Sequence, residues 1–114
     1  MTTTNLATVI REVAPGIRVI DIRGEITAFS EEHLRDAHER AGREARAVIL
    51  NFEQLEYMNS GGIGLLVTTL IRAQRAGHSL RAYGLSDHYR EIFALTRLDE
   101  AIAIFDDEES ASVG

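Results

Sequence analysis

Apolar runs alternate with turn residues along most of the chain. Two runs rich in Val and Ile, residues 6–13 and 17–23, flank Pro15 and Gly16 and predict two strands paired as a hairpin. A nearly continuous apolar run over residues 47–52 predicts a central strand that is covered on both faces. Two shorter runs, residues 79–83 and 101–105, predict the remaining strands.

Serine residues mark the starts of two predicted helices. We expect one helix from Ser30 to Ala41, with Ser30 as the N-cap and Phe29 packed on Leu34 as a hydrophobic staple. Another helix follows Ser86, its N-cap, and its inner stripe consists of Tyr89, Ile92, Phe93 and Thr96. Each helix therefore lies between two predicted strands.

A third helix is predicted from Ser60 to about Ala76, with Gly77 in the left-handed conformation that often ends a helix. We expect a loop over residues 53–59 to lead into it. A phosphate on Ser60 would meet the unpaired N–H groups of the first turn and the positive end of the helix dipole. The prediction of this helix rests on an apolar stripe at helical spacing, formed by Ile63, Leu66, Val67, Leu70 and Ile71.

Three glycines in the first turn and a half of this helix are costly to its stability. Gly61, Gly62 and Gly64 each cost up to about 1 kcal/mol relative to alanine, so stability alone gives little reason for them. The helical wheel places Gly61, Leu65, Thr68 and Arg72 opposite the apolar stripe. This pattern predicts a smooth docking face on which Leu65 protrudes beside Ser60.

Strands and helices alternate after the first hairpin. This order predicts a single α/β domain over residues 1–105, with a mixed and partly parallel sheet of about five strands and three main helices. One sheet face is expected to be open. The acidic residues 106–114 have almost no bulky apolar side chains, and we expect them to form a disordered tail.

Composition excludes several functional classes. The net charge of −6 argues against nucleic-acid binding, which normally needs a basic face. The chain has neither lysine nor cysteine, so it lacks a P-loop lysine, a Schiff-base lysine, disulfides and thiolate metal ligands. No run is long and apolar enough for a membrane span, and the first residues do not resemble a secretion signal. We expect a cytoplasmic protein.

Catalytic interpretations of Ser60 fit poorly. Met58 stands at the first glycine position of a nucleophile elbow, and only Gly62 matches the second. The four histidines, which are expected on helix surfaces or at helix and strand ends, show no spacing typical of a triad or of a metal site. We therefore expect no enzyme activity, no metal and no cofactor. Plain helix capping by Ser60, worth on the order of 1 kcal/mol, remains open.

The chain resembles the STAS domain, the fold of bacterial anti-sigma factor antagonists. The most specific match is the segment Tyr57-Met58-Asn59-Ser60-Gly61-Gly62-Ile63-Gly64-Leu65-Leu66, and weaker matches extend over about residues 8–105. The resemblance implies a partner-switching protein. When unphosphorylated, it would bind an anti-sigma factor that is also a serine kinase of the GHKL type. Phosphorylation at Ser60 would break the complex, and a PP2C-type phosphatase would restore it.

The resemblance also implies which residues surround the switch. Thr27 lies on a segment that approaches the partner in such domains, although a capping role is the simpler interpretation. Asn59 replaces the aspartate of many antagonists, and Gly61 replaces the following hydroxyl residue. The expected partner-binding residues are Thr27, Asn59, Gly61, Gly62, Gly64, Leu65, Thr68 and Arg72.

Two alternatives keep other functions open. In the first, the chain is a STAS scaffold or subunit of a larger assembly, either stressosome-like or part of a lipid-transport ATPase, and Ser60 only shapes an interface. A small enzyme or nucleotide binder is the weaker alternative. The expected oligomeric state of the antagonist is a monomer or weak dimer.

Overall fold

The computed structural model describes residues 5–113, so residues 1–4 and Gly114, at the ends of the predicted domain and tail, lie outside the described range. One five-stranded sheet has the strand order β1-β2-β3-β4-β5. Its strands are β1 (Leu6–Ala14), β2 (Ile17–Ile26), β3 (Ala47–Met58), β4 (Ser79–Tyr83) and β5 (Ala103–Phe105). The helices are α1 (Glu31–Gly42), α2 (Ser60–Ala76), α3 (Asp87–Leu95) and α4 (Glu108–Ala111).

Strand pairing confirms the predicted α/β architecture. β1 and β2 form an antiparallel hairpin, whereas β2 through β5 run parallel. Each parallel strand lies beside its predecessor, so successive right-handed crossovers place α1, α2 and α3 on the same sheet face. Leu34, Leu66 and Phe93 from these helices share one buried cluster with Ile20 and Leu50 of the sheet.

The opposite sheet face carries a smaller apolar cluster that α4 covers in part. Ala111 is fully buried there, against a cluster that includes Val19 and Ile49. The disorder expected for residues 106–114 is therefore wrong for the described part. Polar contacts order this segment in place of bulky apolar residues, because Glu108 pairs with Arg11 at 2.5 Å and accepts a hydrogen bond from the Tyr83 hydroxyl at 2.9 Å.

The chain enters α1 through a short 3₁₀ turn, Ala28–Ser30, instead of starting directly at Ser30. Thr27 caps this turn by accepting a hydrogen bond from the Phe29 N–H, and the Ser30 hydroxyl accepts one from the Thr27 N–H. Ser30 makes no side-chain cap to α1. The predicted staple is also wrong, since Phe29 is 72% exposed while Leu34 is buried.

The loop expected over residues 53–59 is mostly strand. β3 continues to Met58 and pairs with the end of β2, where Ile26 lies opposite Met58. Two register shifts interrupt the pairing, between Asp21 and Arg23 and between Gly24 and Glu25 on β2. Backbone pairing with β2 thus supports a segment whose alternation is too irregular to predict a strand.

Candidate functional site

The start of α2 lies at the carboxyl ends of the parallel strands, where ligands and partners commonly bind in open α/β sheets. β2 and β3 end side by side at Ile26 and Met58. The next residues, Thr27 and Asn59, lead into the 3₁₀ turn and into α2. The topology therefore brings Thr27, Asn59 and Ser60 to one edge of the sheet.

Asn59, and not Ser60, caps α2. Its Oδ1 accepts a hydrogen bond from the Gly62 N–H at 2.9 Å, and its carbonyl accepts one from the Ile63 N–H at 2.9 Å. Ser60 is exposed, and its hydroxyl has no hydrogen bond to another residue within 5–113. The capping explanation for Ser60 is therefore wrong. The first-turn N–H groups of Ser60 and Gly61 remain available to water or to an anion.

Tyr89 fixes the backbone immediately before this cap. Its hydroxyl oxygen accepts a hydrogen bond from the Met58 N–H at 2.8 Å, and the same hydroxyl lies 3.4 Å from the Met58 carbonyl. Tyr89 belongs to α3. Met58, the last residue of β3, therefore leads into α2 and also contacts α3. Helical spacing placed Tyr89 on the inner face of α3, but it could not indicate this contact.

The orientation of α2 differs from the helical-wheel expectation. Its buried positions are Gly62, Leu66, Thr69 and Ala73. Val67 and Ile71 are 39% and 42% exposed, although both belong to the predicted apolar stripe. Leu65 is half-buried and packs against the main core, so it does not protrude.

Gly62 explains this rotation. A Cβ atom at Gly62 would lie 2.2 Å from the Ile26 carbonyl oxygen, so the helix approaches β2 most closely on its glycine side. Thr69, two turns further on, consequently faces the core and satisfies its hydroxyl by donating to the Leu65 carbonyl at 2.8 Å. Side-chain hydrophobicity alone therefore assigns the buried stripe of α2 wrongly.

The other predicted site residues differ in their distance from Ser60 along α2. Gly61 follows Ser60 directly and packs on Ala28. Thr68 is half-buried, and its hydroxyl donates to the Gly64 carbonyl at 3.2 Å. Arg72 lies twelve positions after Ser60, which is about 18 Å along a helix. It lines a separate cavity with His38 and does not belong to the surface around Ser60.

The outward surface of α2 is defined by Ser60, Gly64, Val67 and Ile71, which recur at helical spacing and are all exposed. We call these four residues the exposed α2 face. Phe29 lies next to it, on the 3₁₀ turn that packs against the start of α2. Exposed aromatic and branched aliphatic side chains beside a free hydroxyl are typical of a protein-docking surface.

Two histidines are buried. His38 lies on the buried face of α1, contrary to the expected helix surface, whereas His78 lies between α2 and β4, at an element end as expected. His38 and His78 are 3% and 7% exposed, and their Nε2 atoms are 2.9 Å apart. Burial lowers the pKa of both rings, to about 4 for His38, where the positive charges of His78 and Arg72 contribute further. The spacing of Leu34, Ala37, His38 and Ala41 could have indicated that His38 faces the core.

No group of three or more His, Cys, Asp and Glu side chains suited to a metal ion occurs within residues 5–113. The same part of the chain contains no helix long and apolar enough to cross a membrane. The site thus consists of a free serine hydroxyl, first-turn N–H groups and an apolar outward surface.

Comparisons with known proteins agree with this geometry. The family model for the STAS domain matches residues 8–111. A curated relative, the anti-sigma-B factor antagonist of Bacillus subtilis (strain 168), is 28% identical over 85 residues, covering 75% of this chain and 78% of the relative. The chain is therefore similar, at a distance, to anti-sigma factor antagonists.

Solved structures show the same fold. The anti-sigma factor antagonist SpoIIAA in its unphosphorylated form superposes with a TM-score of 0.70 at 23% identity, covering 91% of this chain and 92% of that chain. The Bacillus cell fate determinant SpoIIAA in the phosphorylated form superposes with a TM-score of 0.69 at 24% identity, covering 91% and 96%.

Proposed function

Because the chain belongs to the STAS domain family, we propose that it is an anti-sigma factor antagonist with Ser60 as its phosphorylation switch. The unphosphorylated protein binds an anti-sigma factor that is also a GHKL-type serine kinase, and this binding frees the sigma factor. Phosphorylation of Ser60 dissociates the complex, and a PP2C-type phosphatase reverses it. The protein acts in the bacterial cytoplasm as a binding partner and kinase substrate, without catalysis of its own.

The observation that carries this proposal is the free hydroxyl of Ser60. The side chain is exposed and neither caps α2 nor bonds to another residue within 5–113, so a kinase can reach it without unfolding the chain. Gly64, one turn later, is exposed as well, and a Cβ atom there would meet nothing within 4 Å. Neither residue is needed by the fold, which favours a role toward a partner.

Electrostatics gives the direction of the switch. A phosphoserine adds about −1.5 to −2 charges at neutral pH. In the free protein this charge lies at the N-terminus of α2, where first-turn N–H groups and the helix dipole stabilise it. In the complex it lies within the docking surface, where binding of a partner to the exposed Val67 and Phe29 would remove water from it. The phosphorylated form is therefore compatible with folding and unfavourable for binding.

Asn59 supports the same direction. It caps α2 through its Oδ1 atom, as an aspartate at this position also could. Unlike aspartate, it places no negative charge beside the phosphate. Gly61 leaves Ser60 as the only hydroxyl residue in the first turn of α2. Both replacements are thus consistent with a single modification site.

Further support comes from the relatives. One is named as an antagonist of an anti-sigma factor, and SpoIIAA has been solved in both phosphorylated and unphosphorylated forms.

A kinase assay tests whether Ser60 is the phosphorylation site. The full chain is incubated with ATP and a GHKL-type kinase from the same genome, and its intact mass is measured. We expect the mass of one phosphate to be added, and peptide mapping should place it on Ser60.

Two variants sharpen the kinase assay. Ser60→Ala should abolish the mass increase, whereas Ser79→Ala should leave it unchanged, because Ser79 is an exposed serine at the amino end of β4. Absence of phosphate with every such kinase, or phosphate on another residue, would contradict the switch. The scaffold or assembly-subunit function, with Ser60 in a static interface, would then be favoured.

A further inference from the structure

A cavity of about 550 Å³ opens between the C-terminal ends of α1 and α2, at the end of α2 opposite Ser60. Its volume lies within the range of small-molecule sites. The titratable residues that line it are His38, Glu39, Arg43, Arg72, Arg75 and His78. Three guanidinium groups and one carboxylate give the lining an excess of positive charge in a chain whose net charge is −6.

The three arginines of the cavity have no internal counterion. Arg43, Arg72 and Arg75 form neither an ion pair nor a side-chain hydrogen bond with another residue in the described part of the chain. By contrast, the ion pairs formed among residues 5–113 include five other arginines. Arginines near helix C-termini do interact favourably with the helix dipole, but this effect requires no cavity.

His78, one of the lining residues, also has a buried polar atom without a partner in the described part of the chain. His78 uses Nε2 for its contact with His38, and its Nδ1 is buried without a hydrogen bond to any atom of residues 5–113. An unsatisfied buried polar atom is unfavourable and rare in folded proteins. The unpaired guanidinium groups make a metal cation an unfavourable occupant.

We infer that this cavity binds a small organic phosphate, with Arg43, Arg72 and Arg75 holding the phosphate group. Guanidinium groups bind phosphate oxygens in a bidentate manner, and several of them suit a dianion. The organic part would contact Gly42, Ala76 and the histidine rings. The site is independent of the Ser60 switch, since it lies at the other end of α2.

Nuclear magnetic resonance titration tests the inference on the full chain. Phenyl phosphate is added at constant ionic strength while the ring signals of His38 and His78 are followed, with inorganic phosphate and benzoate as comparison probes. We expect saturable shifts of both rings with phenyl phosphate, and weaker binding of the other two probes. No shift of either ring at millimolar phenyl phosphate would overturn the inference.

Matched variants separate a built site from general charge attraction. Arg72→Gln and Arg75→Gln should each weaken phenyl phosphate binding by about tenfold, the loss of one charge-assisted contact. Arg23→Gln removes the same charge from an exposed arginine on β2 and should change binding less than about twofold. Equal weakening by Arg23→Gln would contradict the inference. Because Arg75 is exposed, its variant tests the site even if Arg72→Gln fails to fold.

Discussion

The glycines at the start of α2 have different physical roles. A Cβ atom at Gly62 would lie 2.2 Å from the Ile26 carbonyl oxygen and 2.8 Å from the Met58 side chain. One at Gly61 would lie 3.0 Å from both the Cβ and the backbone nitrogen of Ala28 and 3.3 Å from Asn59 Oδ1. One at Gly64 would meet open space. Packing therefore accounts for Gly62 and largely for Gly61. No contact within the described residues accounts for Gly64, which is consistent with a role toward a partner.

This difference can be measured with alanine substitutions. Gly62→Ala should lower the free energy of unfolding by about 1–3 kcal/mol, because backbone atoms of β2 cannot move away cheaply. Gly64→Ala should raise it by about 0.5–1 kcal/mol, since alanine is the better helix former in open space. Urea denaturation of both variants checks the pair. Equal stabilities would show that α2 does not rest on β2 through Gly62.

Much of α2 could be predicted from the sequence, but its orientation could not. The helix begins at Ser60 and ends at Ala76, with Gly77 in the left-handed conformation, as the spacing and the glycine indicated. Which face is buried depends on a backbone approach at Gly62, and that contact has no hydrophobic signal. For this reason the helical wheel wrongly showed Leu65 as protruding and Val67 and Ile71 as buried. Arg72 is set apart from Ser60 by its position along the helix and not by this rotation.

His38 on α1 contacts His78, which follows Gly77 at the end of α2. This histidine pair should make the free energy of unfolding depend on pH. The pKa of His38 falls from 6.5 to about 4 on folding, and that of His78 is also lowered, both chiefly through burial. The unfolded chain then binds more protons than the folded chain below pH 6.5. The free energy of unfolding is therefore highest above pH 6.5, where both rings are neutral, and it falls as the solution is acidified.

Acidification from pH 6.5 to about 5 should lower the free energy of unfolding by up to about 2 kcal/mol, at 1.36 kcal/mol per pKa unit. Asp21 and Glu108, whose pKa values are lowered by Arg11, should lose their contributions only at more acidic pH. Denaturant titrations at several pH values in this range measure the slope of the free energy of unfolding against pH. The double variant His38→Leu/His78→Leu should flatten it, and His88→Gln, at an exposed histidine, should not. An unchanged slope in the double variant would contradict the assignment.

At the scale of the whole molecule, the two proposed binding surfaces and α4 lie in different regions around one small sheet. The exposed α2 face and Phe29 lie at the carboxyl end, the arginine-lined cavity lies near the amino end, and α4 covers part of the opposite face. The five strands, the partly parallel pairing and the three main helices α1, α2 and α3 followed from alternating patterns in the sequence. The position of α4 did not, because its anchors are the polar residues Arg11, Tyr83 and Arg81, which are distant in sequence.

Truncation of the chain after Asp106 should lower the free energy of unfolding by about 1–3 kcal/mol. The truncated chain loses the bonds of Glu108 to Arg11 and Tyr83 and exposes the cluster beneath Ala111. Partner binding should be unchanged, since α4 lies across the sheet from α2. Urea denaturation and kinase binding measure the two effects. Unchanged stability would show that the acidic segment contributes nothing to the fold.

The switch itself is tested most directly by the affinity of a GHKL-type anti-sigma factor for charge variants of the full chain. Ser60→Asp should weaken binding by about 30-fold or more, the effect of a buried unpaired charge of at least about 2 kcal/mol. Ser79→Asp adds the same charge far from the exposed α2 face and should change affinity less than about twofold. Ser60→Ala should bind like the unmodified protein. Equal affinities for Ser60→Asp and Ser79→Asp would contradict a phosphorylation switch at Ser60.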